Sequence, residues 1–306
     1  MHARRWPSRL RALPDVATDY HPMFVNLELC EATHSVQQLG IPPCPPLLAD
    51  LIQELAQPQP DRSWVVQLIE QDAKLAQALL EAVNSPLCGL RHKVTAVRGA
   101  VTFGGLKYCA NFVAGFMLRR ALTVVGRFEL EAFWERAAER SLAIAYLARE
   151  LDVADFDEAH TFGLFRNCGI PLMLLKHSDY GAWLANEQEQ GRLEITTRER
   201  ARYGIDHALI GGLLARSWCL PMDMWLPVSL HHVRDESAQA GGPQSRSTRR
   251  LIAIGVLADC ITRLHRRQRL SEFWEREEAF ALQALGLLPS QLAALSTDIG
   301  LLLEAS

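Results

Sequence analysis

The sequence predicts an all-α protein built as two helical lobes. Two observations carry that prediction. Apolar residues recur at three- and four-residue spacing in one window after another, each bounded by capping or breaking residues. No window sustains two-residue alternation between hairpin turns, as strands would require. With 306 residues, 49% of them hydrophobic and 22% charged, the chain has ordinary globular composition and the length for one large domain or two smaller ones. The expected division is an N-terminal extension over 1–40, a helical lobe over 41–126, and a second lobe over 127–306 that ends in further helices.

The first ~20 residues lack apolar periodicity and read as a mobile tail. Ile41-Pro42-Pro43-Cys44-Pro45-Pro46 is a stiff extended entry, because each proline fixes its own backbone and restricts the residue before it. Leu47, Leu48, Leu51, Ile52 and Leu55 repeat at helical spacing, and Pro58 and Pro60 end that helix. Ser63 is the expected cap of 64–70. Asp72 is the expected cap of a helix through Leu75, Leu79 and Val83 that stops at Asn84-Ser85-Pro86. Thr95 opens 96–103, and Gly104-Gly105 separates it from 106–122. In the second lobe, helices are expected over 128–151, 180–190, 197–203, 207–218, 222–232, 249–269 and 272–287, with a last one from Ser290. Residues 234–248, rich in Ser, Gly, Gln and Arg, read as a loop.

The stretch 157–177, DEAHTFGLFRNCGIPLMLLKH, is an apolar helix that breaks at a glycine and a proline and then resumes. At its centre Arg166-Asn167 is a polar pair in an apolar setting. Such a pair must face a site or be paired internally, because an unpaired buried charge is costly.

Composition narrows the function classes. A net charge of −3 implies no general attraction to nucleic acid or to an acidic membrane. The apolar runs read as shorter than the ~20 residues of a membrane span. The basic N-terminus has no apolar core behind it, so it is no signal peptide. Seven scattered cysteines without a C-x-x-C pair read as reduced, mostly buried thiols of a cytoplasmic protein. Gly104-Gly105 and Gly211-Gly212 are not followed by the Lys-Ser/Thr of a phosphate loop.

Several ordered segments resemble the HDOD family, a branch of the HD-domain superfamily of metal-dependent phosphohydrolases. Ile41-Pro42-Pro43, the run 69–76 (IEQDAKLA), the run 79–85 (LLEAVNS) and the run 96–105 (AVRGAVTFGG) are similar to its N-terminal signatures. Phe133-Trp134-Glu135-Arg136, Gly163 to Gly169, His207 to Gly211, Trp218-Cys219-Leu220-Pro221 and His231-His232 come next in the family's order, so the resemblance covers 41 to about 265. It implies an HD-domain-like C-terminal lobe and a role in bacterial signalling.

HD enzymes hold divalent metal with a first His, a His-Asp doublet and a distal Asp, some adding further His residues. The ion lowers the pKa of bound water to make a nucleophile. By resemblance, the first His position falls near Arg140, the doublet on Arg166-Asn167, and the distal Asp on Asp259. His207, His231 and His232 match the additional His positions. Arginine has no lone pair for a metal and repels one. The expectation is therefore no metal, no cofactor and no catalytic residue at this site. Arg140 and Arg166 are expected to pair with Asp259, or alternatively to grip a phosphate. The histidines are read as hydrogen-bonded core or cleft residues, and the arginines between 246 and 269 as a solvated face balanced by Glu272, Glu275, Glu277 and Glu278. Cys168, Trp183, Trp218 and Trp225 are read as packing.

The resulting expectation is a non-catalytic cytoplasmic signalling module. It would act through protein partners or a small anionic ligand such as a nucleotide, held by Arg140, Arg166, Asn167, His207, His231, His232 and Asp259. The alternative is a metal-dependent phosphodiesterase or phosphohydrolase that uses His207, His231, His232 and Asp259 as a reduced ligand set.

Overall fold

A computed structural model describes residues 39–85, 90, 92–123, 130–189, 195–234, 242–268 and 274–304. The expected N-terminal tail and the Ser271 cap lie outside them. The described residues are helical and contain no strand, as the periodicity predicts. The first lobe holds α1 (Pro46–Leu55), α2 (Arg62–Glu70), α3 (Ala73–Val83) and α4 (Val97–Thr123). The second holds α5 (Glu131–Glu150), α6 (Phe156–Phe165), α7 (Gly169–Lys176), α8 (Tyr180–Glu189), α9 (Ile195–Tyr203), α10 (His207–Ser217), α11 (Met222–Leu230) and α12 (Gly242–His265). Two more helices, α13 (Trp274–Leu285) and α14 (Pro289–Glu304), complete the order.

Local chemistry explains most boundaries. Asp72 caps α3 by accepting from the amides of Lys74 and Leu75, both at 3.1 Å. The cap of α2 is Asp61 rather than Ser63, and it accepts from Ser63 at 2.8 Å and Trp64 at 3.2 Å. A carboxylate beside two free amides is the stronger cap in the field of the helix terminus. Asn84 both ends α3 and fastens the connection toward α4. Its side chain donates to the Leu80 and Val94 carbonyls at 2.8 and 2.7 Å and accepts from the Val94 amide at 2.8 Å. The expected break near Gly104-Gly105 is present inside α4, where Gly105 has φ 77° and ψ 177°, a conformation open essentially to glycine alone.

Two expectations are corrected. α12 begins at Gly242, inside the segment expected to be a loop, rather than at Arg249. Residues 235–241 lie outside those described. The expected absence of any span-length apolar run does not hold for α4, which is long and apolar enough by length and composition to cross a membrane. The pair α13–α14 passes the same test only if counted as one span across a 96° bend.

One contiguous apolar core runs from Ile41 to Ile299. The Trp218 indole, fully buried, donates to the Pro42 carbonyl at 3.0 Å and so ties the proline-rich entry to the end of α10. Helix α6 packs against both α4 and α5, and α5 against α12. Two glycines bring backbones into close approach there. A Cβ at Gly163 would collide with Ser141 on α5, and one at Gly169 with the His207 carbonyl at the start of α10. The Gly163–Gly169 segment thus seats Arg166 against α5, α10 and α12.

Candidate functional site

Arg166 lies just past the end of α6, on the turn between α6 and α7, with its side chain only 4% exposed. Its Nη1 donates to Asp259 Oδ2 at 2.7 Å and to the Gly255 carbonyl at 2.9 Å. Both acceptors are on α12, four residues apart and so on one helix face. Gly255 is small for a reason that bears on the site: a Cβ there would stand 3.3 Å from the guanidinium carbon. The Arg166 Nε is buried without a partner among the described residues. Arg140, on α5, reaches the other side of the same carboxylate, with Nη1 3.7 Å from Asp259 Oδ1. That is an ion-pair distance but too long for a hydrogen bond. Burial alone would raise the pKa of Asp259, but Arg166 and Arg140 outweigh it and hold the carboxyl below its usual range.

The three histidines form a second cluster beside the first. Their candidate ligand atoms lie within 4.8 Å of one another. His207 is 2% exposed and opens α10; Asp206 caps that helix by accepting from Leu209 at 2.9 Å. The His207 Nδ1 sits 2.7 and 2.9 Å from the two oxygens of Glu199, which also accepts from the His207 amide at 3.0 Å. Tyr180 donates its hydroxyl to Glu199 at 2.5 Å. Glu199 is fully buried. Burial pushes its pKa up, and the contacts with His207 and Tyr180 reverse that and bring it below the ordinary value. His231 bonds through Nδ1 to the Val228 carbonyl at 2.7 Å, and its Nε2 has no partner among the described residues. The Nε2 atoms of His207 and His232 face each other at 3.2 Å. Burial, first, and the neighbouring charges hold both His231 and His232 well below the usual histidine pKa, so both are neutral near pH 7.

The expected residues therefore divide. Arg140, Arg166 and Asp259 meet in one cluster, and His207, His231 and His232 in another. The half-buried Asn167 side chain hydrogen-bonds with none of them; only its backbone carbonyl is used, accepting from Ile170 at 2.9 Å. Among the other readings, Cys168 is buried and its thiol pKa is pushed up by burial, which makes it inert packing. Trp218 is core, with Trp183 and Trp225 packed against it. Of the acids expected to balance the basic face between 246 and 269, Glu272 lies outside the described residues and Glu277 pairs with Arg234 at 2.7 Å, while Arg266 pairs with Glu139 at 2.7 Å.

Glu199 and Tyr180 are not legible in the sequence as site residues. Glu199 lies in a strongly polar run, RERARY, that gives no sign of which side is buried. Its only signal is an acid eight residues before a histidine that needs a partner.

Fit to a divalent ion can be tested on these donors. The Arg140, Arg166 and Asp259 cluster does not fit. Two of its members are cations without lone pairs, and Arg166 already occupies the carboxylate. The three imidazoles do fit. They are close together, His231 and His232 are neutral, His231 offers an unpaired nitrogen, and Glu199 orients His207 as a carboxylate orients a metal-bound histidine.

Known proteins share this arrangement of helices. The family model for the HDOD domain matches residues 41–234. An uncharacterised protein of Treponema pallidum (strain Nichols) is 25% identical over 193 residues, which cover 63% of this chain and 37% of that protein. The chain thus spans little more than a third of that relative. A crystal structure of an HDOD domain protein of unknown function from Geobacter sulfurreducens superposes with a TM-score of 0.63 at 16% identity, covering 88% of this chain and 96% of that one. A candidate signal transduction protein from Marinobacter aquaeolei VT8 gives 0.64 at 19% identity, over 88% and 59% of the two chains. A candidate phosphohydrolase from Shewanella amazonensis SB2B gives 0.60 at 20% identity, over 88% and 97%. At these identities the solved structures establish the fold.

Proposed function

Because the chain belongs to the HDOD domain family, we propose that it is a non-catalytic regulatory module of bacterial signal transduction, acting through protein contacts or a small anionic ligand. The observation that carries this reading is the Arg166–Asp259 pair at 2.7 Å, reinforced by Arg140 at 3.7 Å. In an HD hydrolase that space would hold an ion and its activated water. Here a guanidinium neutralises the same carboxylate without offering a nucleophile. The names of the neighbouring structures are compatible with signalling and with phosphohydrolysis, so the reading rests on the chemistry of Arg166. The test is hydrolysis of a panel of cyclic dinucleotides and nucleotides with added magnesium, manganese, iron or nickel. No turnover above a protein-free control is expected. Turnover that disappears in His207→Ala would overturn the proposal.

One observation favours a second reading. His207, His231 and His232 could hold a single divalent ion, supported by Glu199. Asp259 would not join that set, since Arg166 holds it. An ion there would lower the pKa of a bound water. The chain's own part would be to present neutral imidazoles and a buried carboxylate that fixes one ring. Elemental analysis of protein purified without chelator separates the readings. Stoichiometric metal that is lost in His232→Ala, together with hydrolysis, would establish the second.

A further inference from the structure

A cleft of about 560 Å³ opens between α5, α7, α8 and α12, with Arg140 and Asp259 in its wall. Four arginines line it: Arg136 and Arg140 from α5, Arg263 from α12, and Arg266 just beyond its end. Among the described residues, two carboxylates, Glu139 and Asp259, face them. Glu139 is committed to Arg266 through two hydrogen bonds of 2.7 Å. Asp259 is committed to Arg166 at 2.7 Å, so Arg140 is only partly compensated. The side chains of Arg136 and Arg263 make no hydrogen bond or ion pair with any described residue. The described lining thus carries four positive charges against two negative ones, and Arg166 adds a fifth behind Asp259.

The placement concentrates that excess. Arg136 and Arg140 are four apart on α5, and Asp259 and Arg263 are four apart on α12. Each pair shares a helix face turned to the same cleft. The like-charged pair Arg136 and Arg140 destabilises its helix at that spacing unless an anion neutralises it, whereas Arg263 is partly offset by Asp259. Arg140 registers the crowding: burial, first, and the charges of Arg166, Arg136 and Arg263 together hold its pKa below the usual arginine value. Apart from Thr262 and Gln268, the remaining wall is apolar and includes Phe133, Ile170, Leu174 and Leu184. A few convergent polar groups over an apolar floor, in a cleft within the range of about 300–1,000 Å³, are the usual features of a small-molecule site.

We propose that this cleft binds an organic phosphate of nucleotide size, with its phosphates gripped by Arg136, Arg140 and Arg263 and its apolar part laid on Phe133, Ile170 and Leu174. Guanidinium groups match phosphate oxygens in a fixed two-pronged geometry, and three of them suit a polyanion. The proposal deepens the regulatory reading above, from which it takes the small anionic ligand, and moves the grip from the spent Arg166 to the partly compensated Arg140 and to Arg136 and Arg263, whose side chains pair with no described residue.

Thermal-shift and calorimetric titrations of the full chain at low salt test it, with ATP, GTP, pyrophosphate and adenosine as probes. ATP or GTP is expected to raise the melting midpoint, pyrophosphate to bind more weakly, and adenosine to give no shift. In Arg136→Ala/Arg263→Ala, nucleotide affinity is expected to fall at least tenfold while the unliganded midpoint does not drop, since neither side chain bonds with any described residue. Arg98→Ala, an exposed arginine elsewhere, serves as the control and is expected to bind as the unaltered chain does. No binding by either nucleotide, or equal binding by the double variant, would overturn the proposal. Pyrophosphate binding as tightly as ATP would overturn the role of the apolar floor. Hydrolysis of the bound nucleotide would instead overturn the non-catalytic reading and leave the cleft standing. Absence of both binding and hydrolysis would remove the cleft and leave regulation through protein contacts.

Discussion

Arg166 is held by three features that depend on one another: a carboxylate at Asp259, a backbone carbonyl at Gly255, and the missing side chain of Gly255 itself. Removing the guanidinium would leave Asp259 with only the longer-range charges of Arg140, at a distance too long for a hydrogen bond, and Arg263. Truncating one partner of a buried ion pair costs about 3–5 kcal/mol. Because the Asp259 side chain is 31% exposed, the lower end applies. Arg166→Ala is therefore expected to lower unfolding free energy by about 3 kcal/mol in denaturant titration. Adding Asp259→Asn to it should cost little more, because the pair acts as a unit. Full additivity of the two changes would show that the pair is not coupled. The residues also differ in how far the sequence reveals them. Pairing of Arg140 and Arg166 with Asp259 is expected from the resemblance to the HD metal-site pattern, with charge supplying the reason for the pairing. The convergence of the free cations Arg136 and Arg263 cannot, because the two lie 127 positions apart and only the packing of α5 against α12 brings them to one cleft.

Among the helices, α6 and its continuation α7 show why an apolar segment carries functional groups. Close approach at Gly163 and Gly169 sets the depth at which Arg166 enters, and the same segment carries His160. Burial depresses the His160 pKa from 6.5 to about 4, with the ring stacked on Phe156 at 6.3 Å. Well above pH 6.5 it is uncharged in both folded and unfolded chains and contributes no pH dependence. Below 6.5 the unfolded chain takes up a proton that the folded chain refuses until about pH 4. The unfolded state then binds more protons, so stability falls as pH falls through that window. The midpoint of chemical denaturation should decline between pH 6.5 and 4, and His160→Gln should flatten part of that decline. An unchanged pH profile in the variant would place the acid sensitivity elsewhere. Most helices are legible from periodicity, and the start of α12 is not. Residues 242–248 have loop composition, and their helical state shows that local propensity is a weak guide where a long apolar helix continues directly from them.

For the molecule as a whole, α13 and α14 lie beyond the residues matched by the HDOD family model but pack on α12 and α5, the helices that carry Asp259 and Arg140. The guanidinium groups of Arg234 and Arg249 lie over the Phe280 ring, 5.0 and 5.3 Å from its centre. Ile299 is fully buried, and Glu277 holds Arg234, which in turn donates to the His231 carbonyl at 2.7 Å. Fully burying a side chain such as Phe280 or Ile299 stabilises by about 1.5–3 kcal/mol. A chain ending at Gln268 is accordingly expected to melt roughly 10 °C lower by circular dichroism, given about 2–4 °C per kcal/mol. A midpoint unchanged within about 2 °C would mean that these helices do not support the core.

Helical class, most helix positions, and the presence of a polar Arg166-Asn167 pair in an apolar stretch can all be read without coordinates. Those properties are local: periodicity, caps and the identity of a side chain are visible one segment at a time. Other properties exist only once the chain is folded. The histidines form a cluster separate from Asp259, Glu199 and Tyr180 stand behind His207, and unpaired arginines from α5 and α12 converge on one cleft. Each of these depends on which faces of distant helices meet. That is settled by close approach at Gly163, Gly169 and Gly255, where the absence of a single Cβ sets the distance between neighbouring elements and hence which charges can reach one another.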